Sequence, residues 1–180
     1  MSQATAQEFD QQVLDSAQVL KTVWAGRVPA VAVILGSGWG SGAQELIDAV
    51  DVPYADLPAF PRMDIQGHAG TVRLGRLPQD GPPREVMMLM GRQHAYEHGD
   101  AAAMRGAVQT LAAVGCRAVV LTNAGGAINP HMRPGDLMLL SDHLNIAQRS
   151  PLVGIGGSGR FIDMTQVYDA ELRAQALQAL

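Results

Sequence analysis

Short, continuously apolar runs recur along the chain and predict buried strands. Such runs occur at Val31–Leu35, Val86–Met90 and Ala118–Leu121. Thr71–Leu77 alternates between apolar and polar residues, which is typical of a half-exposed strand. Gly135–Asn145 is a further strand candidate.

Apolar residues at helical spacing predict helices between these strands. The segments are about Ala4–Trp24, Asp100–Gly115 and Tyr168–Leu180, with a shorter helix predicted at Gly42–Val50. In the second segment Asp100 is suited to cap the start and Gly115 to provide the left-handed end.

Alternation of buried strands with helices predicts an α/β fold, with a mainly parallel twisted sheet flanked by helices. We expect one domain over residues 1–180. The final segment "DAELRAQALQAL" stops inside a helix without a cap, so we interpret this domain as incomplete. In such sheets ligands bind beyond the carboxyl ends of the strands, where the glycine turns of this chain lie.

Composition limits the chemistry available to the chain. The net charge of −4 argues against a nucleic-acid partner. The basic residues are twelve arginines and one lysine, Lys21, so an anion site would use arginine, histidine, hydroxyls or backbone amides. The single cysteine, Cys116, excludes an internal disulfide and is expected to pack rather than react. Because no segment is apolar or long enough for a signal peptide or a membrane span, we expect a cytoplasmic protein with no membrane partner.

The first strand runs into the glycine-rich turn "GSGWGSG", which permits three interpretations. Gly38, Gly40 and Ala43 fit the looser dinucleotide pattern, with Asp56 about twenty residues on. However, prolines interrupt the segment around Asp56. A triphosphate loop needs a Gly-Lys-Ser/Thr ending, which is absent. A bare phosphate is the third possibility.

A metal site is a further alternative, because His94–His98 reads H-x-x-E-H. Gly91 and Gly99 bracket the segment, and no third ligand follows at helical spacing. We therefore expect no metal.

The phosphate interpretation uses more residues than the others. Ser37 offers a hydroxyl, Arg92 a bidentate fork and His94 a further donor, while Asn123–Gly126 brings backbone amides close. Each has a structural alternative: Ser37 could cap, Arg92 could pair with Glu97, and His94 could be a loop histidine. Taken together, they favour an anion site.

Several ordered motifs resemble the trimeric-type purine nucleoside phosphorylases from about Val31 to the end of the chain. These are "ILGSGWG", "FPRMDIQGHAG", "GRQHAYEHGD", "VVLTNAGGAINP", "GDLMLLSDHLN" and "RFIDMTQVYDAELR". The resemblance implies a nucleoside phosphorylase-like fold. It also implies an enzyme that converts a purine nucleoside and phosphate to free base and ribose 1-phosphate, as a homotrimer. Phosphate is then a co-substrate, and no metal or organic cofactor is expected.

The resemblance also implies roles for individual residues, with His94 as the candidate catalytic residue. The implied phosphate-binding residues are Ser37, His68, Arg92, His94 and Ala124. The implied nucleoside-binding residues are Tyr96, Asn123, Ala124, Gly125, Gly126 and Tyr168. His68 could equally order its own glycine turn, and Tyr168 could be a core residue of the last helix.

The resemblance leaves part of the family pattern without a counterpart. The family's purine-binding glutamate and asparagine and a Met-Ser phosphate contact would lie beyond Leu180, so we expect the chain alone to be a weak or inactive phosphorylase. The glycine after "HAYE" is displaced by His98, and "NIAQRSPLVG" lacks an aromatic that some members lend to a neighbouring subunit. The alternatives are a methylthioadenosine phosphorylase, whose glycine turn tends to carry threonine in place of Ser37, and a non-catalytic phosphate-binding or oligomerisation fragment.

Overall fold

The computed structural model describes residues 3–63 and 70–179, which form two compact units divided between Ala124 and Gly125. Short 3₁₀ turns occur at Gly40–Glu45, Tyr54–Asp56 and Ser158–Arg160. The helices and strands are, in chain order, α1 (Gln3–Val23), β1 (Val31–Leu35), β2 (Ile47–Pro53), β3 (Thr71–Leu77), β4 (Arg84–Met90), α2 (Ala95–His98), α3 (Arg105–Val114), β5 (Ala118–Leu121) and α4 (Ala170–Gln178).

The first unit contains a five-stranded mixed sheet in the order β2-β3-β4-β1-β5. Strand β1 is parallel to both β4 and β5, whereas β3 is antiparallel to β2 and β4. Four of the described strands therefore run in one direction and β3 runs against them, which confirms the prediction of a mainly parallel sheet. In this register Leu35 pairs with Met90, and Ile34 pairs with Leu121.

The two longer helices of this unit pack against the sheet. Leu20 and Trp24 at the end of α1, and Leu111 of α3, are buried in one cluster with Ala32 and Leu89 from the strands. This is the apolar stripe that the helical spacing predicted. A smaller cluster contains Leu35, Ala43, Leu46, Val86 and Met88. Its members show that the 3₁₀ turn after β1 packs against β1 and β4.

Helix α3 ends as predicted but starts later than predicted. Gly115 adopts a left-handed conformation with φ 119°, and its N–H donates to the carbonyls of Leu111 and Ala112. The Asp100 carboxylate accepts from the N–H of Ala102, forming a local turn, so the helix begins at Arg105.

The prediction of a helix at Gly42–Val50 was wrong. The 3₁₀ turn ends at Glu45 and strand β2 follows, paired with β3. Asp48 has φ 49°, and the ladder register shifts between Ile47 and Val50. This bulge disrupts the alternation by which a strand is recognised in a sequence.

The second unit carries little regular structure of its own. Its helix α4 is capped by Asp169, whose carboxylate accepts from the N–H of Leu172, and none of the helix's described residues is buried. Gly135–Asn145, predicted to be a strand, forms none in the described structure. A strand needs a hydrogen-bonded neighbour, and no ladder partner is described for this segment.

Candidate functional site

Three predicted site residues follow three adjacent strands of the sheet. Ser37, Arg92 and Asn123 each lie two residues beyond the last residue of β1, β4 and β5, respectively. Because these strands are parallel neighbours, their carboxyl ends meet at one edge of the sheet. The structure therefore brings the first glycine turn, the segment around Arg92 and the second glycine turn to the same edge.

Hydrogen bonds join the two glycine turns directly. The backbone N–H of Gly36 donates to Oγ1 of Thr122 over 2.9 Å. Thr122 also donates to the carbonyl of Ile34, from its N–H over 3.1 Å and from its hydroxyl over 3.3 Å. The indole N–H of Trp39 donates to the carbonyl of Asn123 over 3.3 Å. Thr122 and Asn123 thus hold the turn in which Ser37 is exposed.

Arg92 is hydrogen-bonded to Thr122, the residue that links the two glycine turns. Its side chain is half-buried, and Nη1 donates to the carbonyl oxygen of Thr122 over 2.7 Å. Within the described residues this bond leaves Nε and Nη2 of the guanidinium available to an anion. The alternative pairing of Arg92 with Glu97 is not found among the described ion pairs, since Glu97 Oε1 accepts from the N–H of His94 over 2.8 Å. Arg92 is therefore anchored through Nη1, and among residues 3–63 and 70–179 its other guanidinium donors have no partner.

His94 and Tyr96 lie at the start of the single-turn helix α2. Their rings stack with centroids 4.9 Å apart and an interplanar angle of 11°. His94 is half-buried, whereas 81% of Tyr96 is exposed. The stacking contact fixes the orientation of the His94 ring, which lies two residues after Arg92 in the chain.

The backbone just before Arg92 is closely packed. Gly91 has φ 120°, and a Cβ built on it would lie 3.4 Å from Cε of Met63 and 3.8 Å from Cα of Gly70. The Tyr54 hydroxyl donates to the Gly91 carbonyl over 2.7 Å, and burial raises the pKa of that hydroxyl so that it stays protonated. His68, between Met63 and Gly70, lies outside the described residues, so its role stays a prediction.

The remaining predicted residues straddle the boundary between the two units. Ala124 ends the first unit, and it is exposed. Gly125, Gly126 and Tyr168 belong to the second. Within that unit the half-buried Tyr168 ring contacts the ring of His143 edge to face at 5.6 Å and lines a cavity of about 170 Å³. The roles of these four residues stay predictions.

Comparison with known proteins identifies the family. Residues 30–180 match the family model described as the phosphorylase superfamily. The chain belongs to this superfamily. It is 38% identical over 151 residues to purine nucleoside phosphorylase 1 of Geobacillus stearothermophilus, and 42% identical over 150 residues to the purine nucleoside phosphorylase of Mycobacterium leprae. These alignments cover 82% and 81% of this chain but 54% and 52% of the relatives.

A solved structure of the superfamily has the same fold. The purine nucleoside phosphorylase of Schistosoma mansoni in complex with inosine matches with a TM-score of 0.80 and 28% identity, over 93% of this chain and 59% of the other. The chain thus spans about half the length of the curated relatives it matches.

Thr122 lies at this edge of the sheet and was not among the site residues predicted from the sequence. The signal available was a hydroxyl residue placed directly between a buried strand and a glycine turn, in "VVLTNAGG". The hydroxyl of such a residue can form hydrogen bonds with backbone N–H and C=O groups that have no partner in the sheet at the strand end. Its partners, however, are 86 and 88 residues away along the chain and become visible only in the fold.

Outside this edge of the sheet, the described residues show neither an activated thiol nor a grouped set of metal ligands. Burial raises the pKa of the Cys116 thiol to about 11, so the thiol is protonated at neutral pH and is not an activated nucleophile. Among residues 3–63 and 70–179, no three His, Cys, Asp or Glu side chains are grouped to hold a metal ion. Within the same part of the chain, no helix is both long and apolar enough to cross a membrane.

Proposed function

We propose that this chain binds inorganic phosphate at the shared carboxyl ends of β1, β4 and β5, as part of a purine nucleoside phosphorylase. The observation that carries the proposal is the linkage of Gly36, Arg92 and Thr122 by hydrogen bonds of 2.7–2.9 Å. These hydrogen bonds join the Arg92 guanidinium, the turn that contains Ser37 and the segment after β5 at one edge of the sheet. The curated relatives at 38–42% identity carry the name of this activity.

The proposed phosphate site combines charge with directed donors. Arg92 supplies two parallel N–H groups from Nε and Nη2, a geometry that matches two phosphate oxygens. Ser37 supplies a hydroxyl and Ala124 a backbone amide. His94, the proposed catalytic residue, supplies a further hydrogen-bond donor from its ring. His68 belongs to the same proposal and is supported by the family resemblance alone.

The reaction follows from the position of the bound phosphate. A phosphate oxygen forms a bond to C1 of the ribose while the bond from C1 to the purine breaks. The bonding electrons leave with the purine, which takes up a proton, and ribose 1-phosphate remains. Positive charge develops on the sugar in the transition state, and the adjacent phosphate anion stabilises it. Phosphate is the co-substrate, and the proposed reaction involves no metal or organic cofactor.

We assign the nucleoside side of the site to the residues named by the family resemblance. Tyr96 would contact the ribose, and its exposed ring is accessible to a ligand. Asn123, Ala124, Gly125 and Gly126 would line the purine and the sugar, and Tyr168 would lie near the nucleoside. A homotrimeric assembly and a cytoplasmic location belong to the same proposal and are supported by the resemblance alone.

Calorimetric titration of the chain with phosphate, and separately with hypoxanthine, tests the proposal. Saturable phosphate binding that sulfate competes away supports the phosphate site. Hypoxanthine binding in addition supports a complete nucleoside pocket. Phosphate binding without hypoxanthine binding indicates a chain that carries the phosphate site alone. Absence of phosphate binding by a folded chain would overturn the proposal.

A further inference from the structure

Thr122 lies where the three segments of the proposed phosphate site contact one another. Its hydroxyl accepts from the Gly36 N–H and donates to the Ile34 carbonyl, and its own carbonyl accepts from Arg92. Ile34 and Gly36 lie at the end of β1, Arg92 follows β4, and Thr122 itself follows β5. One residue thus links the ends of β1, β4 and β5.

The contact between the two turns is also sterically tight. A Cβ on Gly36 would collide with the Thr122 carbonyl oxygen, the same atom that receives the Arg92 hydrogen bond. The position of this oxygen therefore sets both how closely the first turn approaches and where the guanidinium of Arg92 is held. The hydroxyl and the backbone N–H of Thr122 together hold that oxygen in place, because both donate to the Ile34 carbonyl and the hydroxyl also accepts from the Gly36 N–H.

We infer that Thr122 is a positioning residue for phosphate, through the bond of its hydroxyl to Gly36 and of its carbonyl to Arg92. The inference rests on the proposed function and adds to it a residue that need not touch phosphate itself. Loss of the hydroxyl leaves the Gly36 N–H without its acceptor and releases the turn that presents Ser37. An Arg92 guanidinium that is already held in place loses less conformational entropy when phosphate binds.

The test compares Thr122→Val, which keeps the side-chain shape and loses the hydroxyl, with Thr122→Ser, which keeps the hydroxyl. Thr110→Val is the matched control. It removes a buried hydroxyl that donates to the Gly106 carbonyl within α3. Two quantities are measured in the full chain: phosphate affinity by calorimetry, and hydrogen exchange of the Gly36 amide by NMR.

We expect Thr122→Val to weaken phosphate binding by about fivefold to tenfold and to accelerate Gly36 exchange by a similar factor. Thr122→Ser should stay within about twofold of the parent chain in both. Thr110→Val should lower stability without changing phosphate affinity. A Thr122→Val chain with parental phosphate affinity overturns the inference and leaves the proposed function standing. A parent chain that binds no phosphate overturns the proposed function, and the phosphate role of Thr122 with it.

Discussion

Gly36 and the Thr122 carbonyl oxygen are so close that a Cβ at residue 36 would collide with that oxygen. The contact joins the turn after β1 to the residue after β5, 86 positions later in the chain. It explains why glycine is needed here although its φ is not positive. Glycine is required because a larger side chain would collide with the Thr122 backbone, and not because of its own backbone conformation.

Gly36→Ala is therefore expected to destabilise the fold by about 2 kcal/mol, because the added methyl group must push two strand ends apart. Urea unfolding followed by circular dichroism measures the loss. Gly40→Ala is the matched control, since a Cβ there meets nothing within 4 Å. It should change the free energy of unfolding by less than about 0.5 kcal/mol. Equal effects of the two substitutions would contradict the steric account.

Arg92→Ala should weaken phosphate binding by about 1.5–3 kcal/mol, because it removes charged hydrogen bonds to the anion. Arg92→Lys should fall between the alanine variant and the parent, since lysine keeps the charge and loses the fork. The control is Arg84→Ala, an exposed arginine at the opposite end of β4. Calorimetry at fixed salt compares the three variants. Unchanged affinity in Arg92→Ala would remove Arg92 from the site.

Three buried strands were predicted, and all three segments form strands because their signal is local. The prediction of burial was wrong for Ala118–Leu121, which forms the β5 edge with Val119, Val120 and Leu121 exposed. Val31–Leu35 and Arg84–Met90 carry apolar residues that must be buried wherever they pair. Strand β2 could not be predicted, because its apolar residues do not alternate across the bulge at Asp48 and its pairing with β3 decides its conformation.

The meeting of the segments after β1, β4 and β5 at one edge could be predicted in the same way, since strand ends in a parallel sheet converge, while the roles of the residues there stay predictions. The role of Thr122 could not be predicted. Its contacts depend on the register between β1 and β5, and register is a property of the folded sheet. The same sequence is equally compatible with a pairing of β1 and β5 shifted by one residue, in which Thr122 would have other partners.

The Asp51–Arg73 pair predicts a defined pH dependence of stability. The Asp51 carboxylate accepts from Nε and Nη2 of Arg73 over 2.7 Å each, and these hydrogen bonds lower the pKa of Asp51. Nη1 of the same arginine donates to the Ala43 carbonyl over 3.1 Å. A lowered pKa means that the stabilisation is complete above the unfolded value of about 3.9 and is lost as the pH falls through the lower folded value.

Asp51→Asn should thus lower the free energy of unfolding at pH 7 by about 0.5–1 kcal/mol, a modest value because the pair is partly exposed to solvent. The difference between variant and parent should shrink as the pH falls below about 4. Asp10→Asn, at an exposed position of α1, provides the control. A difference that stays constant from pH 7 to pH 2.5 would contradict the assignment of the stabilisation to the charged carboxylate.

The 180-residue chain on its own should turn over inosine poorly. It spans about half the length of its curated relatives, and activation of the purine leaving group normally contributes about 10²–10⁴-fold to such a rate. Release of hypoxanthine from inosine, measured beside the relative from Geobacillus stearothermophilus, gives the comparison. A rate within tenfold of that relative, in a preparation free of any second polypeptide, would show that the chain activates the leaving group itself.

The two edges of the described sheet differ in how they resist association. The β2 edge carries Asp48, Asp51, Pro53 and a bulge, which are features that discourage strand addition. The β5 edge, Ala118–Leu121, has no charge and no proline, and its Val120 and Leu121 are 48% and 64% exposed. An uncharged, apolar edge strand of this kind is a template for pairing with another chain.

We therefore expect the purified chain to self-associate through β5, with an average mass in sedimentation velocity that rises with concentration. Val120→Lys should shift the distribution towards the monomer, because a charge on the edge opposes pairing and burial. Ala49→Lys places the same charge at an exposed position on the β2 edge and should leave the distribution unchanged. A parent chain that is monomeric at every concentration would contradict the role of β5. An equal shift in both variants would instead point to net charge as the cause.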